Sequence, residues 1–406
     1  MVRILHFFVF LHLGIIEIYS QNKTDYQNVY TKIFTTNAYN KKILPRPDIY
    51  HPIILDISFF FLGINEIDEL NEKFVTTGFL WIQWADEGLS WSPIDHNNLE
   101  RIYVPQNDVW KPDIVLANGF KRFVELGGEF YFVEVQSAGL VIWIPFEVFE
   151  SRCSLDTSKY PFDSQVCNIT FVVWSHSVAE VEILNSTQGF EYDENYQENS
   201  VWKIQYVTYT VSKQTRESRI NFSFHMKRKP LYYVINILLP VIFLGLLNGL
   251  VFVIPAGSGE KTGFSITVFL SLSVFLTIIS SLLPTNSDNT SILGVYLLIQ
   301  VVFGVIVLFI TTLQLRLSHR TSAVPTTGCC AKLARCTRRL RCKKNAVSDE
   351  NTVIEINNEH KEMSCDEEAD VQWSDVVSEM DYLFFLLYYI VYLSFTGGVF
   401  AFLVMG

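Results

Sequence analysis

Cys153 and Cys167 enclose thirteen residues, SLDTSKYPFDSQV, with Tyr160-Pro161-Phe162-Asp163 near the middle of the loop. Two thiols at this spacing can form disulfides only where the compartment is oxidising. Cysteine is sparse, seven in 406 residues, so the meaning of the pair depends on which side of a membrane it lies. Little else offers covalent chemistry. The sequence contains no nucleophile–base motif, no glycine-rich phosphate loop and no metal-ligand spacing. No enzyme activity, cofactor or bound metal is expected, and a net charge of −11 does not suggest a nucleic-acid partner.

The elements around the loop fix its side. Residues 1–20, MVRILHFFVFLHLGIIEIYS, place one arginine before a short apolar run and end on a small residue. This is the shape of a signal peptide cleaved after Ser20, the run being short for a membrane anchor. Four further segments lack charge over roughly the length a bilayer needs: 231–255, 262–284, 290–315 and 382–406. Residues 21–230 are then extracellular, and residues 316–381 between the third and fourth spans are cytoplasmic. That connection carries CCAKLARCTRRLRCKK at 329–344, with seven basic residues, as the positive-inside rule requires. Cys153 and Cys167 are the two outside cysteines, free to pair with each other or with another chain. Cys329, Cys330, Cys336, Cys342 and Cys365 lie in the reducing cytoplasm, as sites of palmitoylation or as inert thiols.

Between 21 and 230 the chain repeats short runs rich in Val, Ile, Phe, Tyr and Thr, such as HPIILDISFFFLGI, FVTTGFLWIQW, CNITFVVW and WKIQYVTYTV. Turn residues separate them, so one large antiparallel β-sandwich is expected, with a short helix around 24–39. Sequons at Asn22, Asn168, Asn185 and Asn221 suit an extracellular surface.

Several stretches in order carry a family resemblance: WKPD (110–113), TTGFLWIQWADEGLSW (76–91), the cysteine loop, KRKPLYYVINILLP (227–240) and GEKTGFSITVFLSLSVFLTIISSLLP (259–284). With them the chain resembles the Cys-loop pentameric ligand-gated channels, most closely nicotinic acetylcholine receptor subunits. The resemblance runs from about residue 45 to 406, apart from about 317–370. It implies an extracellular ligand-binding sandwich on an α-helical four-span bundle, with an amphipathic cytoplasmic helix in VQWSDVVSEMDYLFF before the fourth span, assembled as a homo- or heteropentamer with other Cys-loop subunits. It also implies a Cys153–Cys167 disulfide, whose closure would stabilise the fold by about 3 kcal/mol on a chain-entropy estimate.

The second span, about 261–283, reads as the pore helix. Gly263, Thr267, Leu270, Val274, Thr277 and Ser281 fall on one stripe at helical spacing, small or hydroxylated at one end and apolar mid-way. Five such stripes would form a pore with a hydrophobic constriction, and Leu270 resembles the family's gate leucine. A ring of Glu260 at the cytoplasmic mouth would favour cations, and SGEK here lacks the Pro-Ala pattern of anion-selective relatives. Monovalent cations are the expected permeants. Divalent permeation is left open, since Ser281 stands where an outer acidic ring is common.

For coupling, Glu69 and Arg228 resemble the family's interfacial charge pair, joined by Phe162 and Asp163 of the cysteine loop. Ser291 replaces a family proline between spans two and three. For the ligand, the resemblance implies an aromatic box for an amine held by cation–π attraction. Trp174 and Tyr209 would lie on one subunit face and Phe79, with Trp81 as a substitute, on the other. The box is incomplete: Ala117 stands for one tyrosine, Glu217 near another, and Val211-Ser212 for the vicinal cysteines, which makes this a non-α-type subunit. The expected function is a subunit of a cation-selective channel at a plasma membrane, in a postsynaptic setting, gated by acetylcholine or a related amine. The alternatives are an accessory subunit needing partners, or a receptor of the same fold for choline, betaine or a monoamine.

Overall fold

Asn22 caps the first helix. Its Oδ1 accepts from the Thr24 and Asp25 amides, and the Asp25 carboxylate accepts from the Asn22 amide, so orphan helix donors are satisfied in both directions. Helix α1 (Lys23–Tyr30) continues through a π-helical turn at Thr31–Thr36. The computed structural model describes residues 22–128, 130–184, 189–214, 216–282, 291–319 and 373–405. The expected signal peptide, Asn185, the connection 283–290, the basic stretch 329–344 and Cys365 lie outside the described residues.

Strands β1 (Ile53–Asp68) and β2 (Lys73–Ala85) are long because their alternation is long. Ile53, Leu55, Ile57, Phe59 and Phe61 all face inward, the period-two signature of a sheet with one buried face. They are followed by β3 (Arg101–Pro105), β4 (Ile114–Leu116), β5 (Phe132–Gln136), β6 (Leu140–Trp143), β7 (Phe146–Arg152) and β8 (Ser164–Val173). Then come β9 (Val181–Ile183), β10 (Phe190–Gln197), β11 (Trp202–Gln214) and β12 (Glu217–Arg228). The apolar run GLVIWIPFEVF is divided into β6 and β7 at Ile144-Pro145, since proline has no N–H for a ladder.

One sheet runs β10-β1-β2-β6-β5-β3, with β7 also on β2 and β9 also on β1; the other runs β11-β12-β8-β4. The pairing is mostly antiparallel, but β1 takes β9 and β10 in parallel, unlike the wholly antiparallel sandwich expected. After β8, in the second sheet, the chain crosses back and meets β1 travelling in the same direction, which a long crossover permits.

Phe59 holds the two sheets together. Its ring centroid lies 5.6 Å from Phe149, 6.3 Å from Phe171, 5.2 Å from Phe222 and 6.3 Å from Phe224. Each tilted aromatic pair adds about 0.5–1.5 kcal/mol to its burial. Gly78 on β2 admits this ring: a Cβ there would meet Phe59 at 2.5 Å and the Phe60 carbonyl at 2.6 Å.

Among the described residues four helices are long and apolar enough to cross a membrane: α2 (Leu231–Val253), α3 (Lys261–Leu282), α4 (Ile292–Ser318) and α5 (Trp373–Met405). In α2 a π-helical turn at Val234–Leu238 precedes Pro240. The wider turn makes room where the proline ring would strike a carbonyl one turn back. The amphipathic segment expected before the fourth span is the first part of α5 itself, with Trp373, Val376 and Val377 buried. Helix α5 docks on α2 through hydroxyls: Tyr388, Tyr389 and Tyr392 donate to the carbonyls of Gly245, Leu246 and Ile242 at 2.7, 2.8 and 2.9 Å.

Candidate functional site

Alternation carries Ile220, Phe222, Phe224 and Met226 of β12 into the sandwich core, and the same inward face ends on Arg228. The strand thus delivers a cation into a buried position at the foot of the sandwich. The Arg228 Nε donates to Asp163 Oδ1 at 2.8 Å and Nη2 to Oδ2 at 3.2 Å, while Nη1 donates to Glu69 Oε1 at 2.9 Å. The guanidinium lies 4.2 Å from the Trp202 ring, 4.8 Å from Tyr160 and 5.4 Å from Tyr233. Burial opposes the charge, yet Asp163 and then Glu69 outweigh it and hold the Arg228 pKa above its ordinary value.

The disulfide loop presents Asp163. Cys153 and Cys167 are bonded to each other, with Cα atoms 5.2 Å apart. Gln165 braces the loop from within: its side chain accepts from the Asp156 amide at 2.9 Å and donates to the Asp156 carbonyl at 2.7 Å and to Asp163 at 2.6 Å. The loop also reaches the helices. Tyr160 packs among Ile237, Leu238, Leu293 and Leu297 at the head of the bundle, where burial raises its hydroxyl pKa. The Ser158 carbonyl accepts from the Ile292 amide at 3.0 Å, at the start of α4. Glu69, Asp163 and Arg228 are therefore brought together. The ring that enters the bundle is Tyr160, while Phe162 is half-buried two residues on.

Helix α3 divides into two faces. Lys261, Ser265, Val268, Leu272 and Ile279 are buried, whereas Gly263, Thr267, Leu270, Val274, Thr277 and Ser281 are exposed in the single chain. Leu270 and Val274 are 57% and 58% exposed, high for apolar side chains in mid-helix. Thr267 and Thr277 donate to the carbonyls of Gly263 and Ser273, at 2.9 and 3.0 Å. Glu260 is exposed just before the helix, while Lys261 turns into the bundle and pairs with Asp381 of α5.

The aromatic residues fall in three separate places. Trp174 follows β8 directly and is 58% exposed. Asp113 of WKPD fixes this strand end, its carbonyl accepting from the Trp174 amide at 3.2 Å and its Oδ2 from the Ser175 amide at 2.5 Å. Tyr209 does not reach this group. It pairs with Phe222, which pairs with Ile169, five residues before Trp174 on β8, or about 16 Å along a strand. Its ring lies over Gly189. On the other sheet Phe79 stacks on Phe60 at 4.9 Å, and Trp81 lies 6.2 Å from Phe60.

Of the sequons, Asn22 is the helix cap already described. Asn168 is exposed and accepts from Ser223 Oγ at 2.7 Å. Asn221 is half-buried, donating to Asn168 Oδ1 at 3.3 Å.

Sequence reasoning missed the rings around Arg228, the Gln165 brace, and Phe123, whose ring centroid lies 4.6 Å from Trp174. It also missed the partner of Lys261. The available signal was Asp381 itself, an acidic residue at the edge of an apolar span.

Residues 26–230 match the profile of the neurotransmitter-gated ion-channel ligand binding domain, and residues 237–353 that of the neurotransmitter-gated ion-channel transmembrane region. Similar proteins include the neuronal acetylcholine receptor subunit alpha-6 of Rattus norvegicus, 31% identical over 71% of this chain and 59% of the relative. The neuronal acetylcholine receptor subunit alpha-3 of Rattus norvegicus is 32% identical over 71% of this chain and 58% of the relative. The acetylcholine receptor subunit alpha of Danio rerio is 30% identical over 70% and 63%. The matched part of this chain thus spans about six-tenths of the length of these relatives. With a sandwich seated on four membrane-length helices through a disulfide loop, and with both profiles matched in order, the chain belongs to the neurotransmitter-gated ion-channel family.

Proposed function

We propose that the chain is a subunit of a cation-selective pentameric channel at a plasma membrane, opened by acetylcholine or a related amine bound between neighbouring outer domains. In this reading residues 21–230 are extracellular, the spans lie within 231–315 and 382–406, and residues 316–381 are cytoplasmic. The observation that carries it is the exposed stripe on α3. A stripe from Gly263 to Ser281 that no helix among the described residues covers is suited to line a lumen shared by five copies. Leu270 and Val274 form the dry constriction, and Glu260 at the mouth attracts cations.

The test is Leu270→Thr in the full chain expressed alone in oocytes, with surface protein verified by biotinylation. A hydroxyl ring wets the constriction, so a standing current is expected without agonist. Its reversal potential should move when sodium is replaced by a large organic cation and hold when chloride is replaced. Surface protein with no such current would count against a pore formed by this chain alone.

A second reading is favoured by Tyr209, which lies away from Trp174. The chain would then be an accessory subunit, lending the Phe60, Phe79 and Trp81 face to a neighbour that supplies the main site. Agonist-gated current from the chain expressed alone would exclude it.

A further inference from the structure

Position 117 is alanine, and Ala117 is held by its amide donating to the Thr170 carbonyl at 2.7 Å. A cation on a single indole is weakly held, so a site built around Trp174 needs a second wall. The segment after β4 brings one. Phe123 sets its ring 4.6 Å from Trp174 at an interplanar angle of 66°, an edge-to-face corner. Neither ring belongs to the sandwich core: Phe123 is 46% exposed and Trp174 58%. Two large apolar rings left open side by side form a patch that needs a partner to cover it.

The surroundings suit a positive charge. Behind the corner, Asp113 accepts from the Ser175 amide through Oδ2, and its buried Oδ1 has no hydrogen-bond partner among the described residues. Of the cations on this segment and on WKPD, Lys111 pairs with Glu125 at 2.6 Å and Lys121 with Glu150 at 2.7 Å, while Arg122, next to Phe123, is exposed to solvent. The base of the segment is tied to β7, since the Phe120 amide donates to the Glu150 carbonyl at 2.8 Å. Beyond it Phe123 lies over a cavity of about 200 Å³, lined in part by Leu116, Val148 and Phe149, so the ring has room to settle on a ligand.

We propose that Phe123 is the second aromatic wall of the agonist site, supplying the ring absent at position 117. The corner it forms with Trp174 selects a compact ammonium head, quaternary or tertiary, which can touch both π-faces at once. This assignment rests on the amine-gated reading.

The experiment uses the full chain in oocytes, with acetylcholine and tetramethylammonium as probes. Where current requires a co-expressed subunit, it is read on that receptor. Phe123 is replaced by mono-, di- and trifluorophenylalanine through nonsense suppression, which drains the ring's negative face at nearly constant size. A matching fluorotryptophan series is made at Trp174. The half-maximal concentration is expected to rise stepwise with fluorination at Phe123, by about ten-fold at the last step. Phe123→Trp should retain or improve sensitivity, and Phe123→Ala should lose about as much as the trifluoro variant. If the Trp174 series shifts while the Phe123 series stays flat, the amine site stands and the Phe123 assignment is overturned. If neither probe opens the unsubstituted receptor at verified surface expression, the amine reading falls and takes the assignment with it.

Discussion

Arg228 is a charge the fold has accepted at high desolvation cost, so its partners must account for its position. An isolated ion taken from water into a protein interior costs several kcal/mol even after relaxation. The two bonds to Asp163 match the planar fork of a guanidinium, and the third nitrogen takes Glu69. A lysine ammonium could not reproduce that geometry, nor lie flat against Trp202. Breaking such a pair from one side strands the other charge, at about 3–5 kcal/mol. Arg228→Gln and Asp163→Asn are each expected to lower the melting temperature of the detergent-purified receptor sharply, and the double substitution by clearly less than their sum. Additive losses would show that the two residues act independently. Glu69→Gln should cost less, because that carboxylate keeps partial contact with solvent, at 24% exposed, and takes one bond from Arg228 where Asp163 takes two. The three charges were legible in the sequence because each sits in a recognisable motif. The cage of Tyr160, Trp202 and Tyr233 was not, since those rings come from three segments that only the folded junction brings together.

Elements differ in how far their sequence betrays them. β1, β2, β8 and β12 were legible because one face is core and the other is not, so residue type alternates. The level of Tyr209 beside Trp174 was not legible, since register along β8, β12 and β11 depends on hydrogen-bond ladders between distant segments. The docking of α5 was equally hidden, although its parts were in plain view. Gly245 and Gly249 lie one turn apart on α2, and a Cβ at either would meet a tyrosine ring at 2.4 and 2.7 Å. Small residues four apart let helices approach closely in lipid, where no hydrophobic driving force holds them. The tyrosine hydroxyls then find carbonyls that α2 already uses in its own ladder. Gly245→Leu must push Tyr392 away and release several of these contacts together, so α5 is expected to detach. Tyr392→Phe removes one hydroxyl and should cost only about 0.6 kcal/mol, the average for such bonds in membranes. Cysteine crosslinking between α2 and α5 distinguishes the two outcomes: efficient in the parent and in Tyr392→Phe, and lost in Gly245→Leu. Persistent crosslinking in Gly245→Leu would mean that the glycine is not what sets the helix spacing.

At the scale of the whole molecule, the proposed pentamer has a pore mouth whose charge depends on which of two neighbouring residues faces the lumen. Glu260 and Lys261 are adjacent, and if both pointed inward their five-fold rings would largely cancel. Lys261 is 3% exposed and paired with Asp381, while Glu260 is exposed at the start of the helix that carries the unpacked stripe. The mouth of a pentamer would then carry five carboxylates with no lysine among them. Such a ring acts through its field, so its effect must fade as the Debye length shrinks, from about 30 Å at 0.01 M salt to about 3 Å at 1 M. Glu260→Gln is accordingly expected to reduce single-channel conductance several-fold in dilute sodium chloride and little at 1 M. In the same variant, the reversal potential in a salt gradient should move toward that of chloride. A deficit equal at both salt concentrations would point to altered pore shape instead of lost charge. Lys261→Gln provides the contrast: it removes a charge buried against α5 and leaves Asp381 buried without its partner. Its conductance should therefore match the parent at every salt concentration, while the bundle melts earlier.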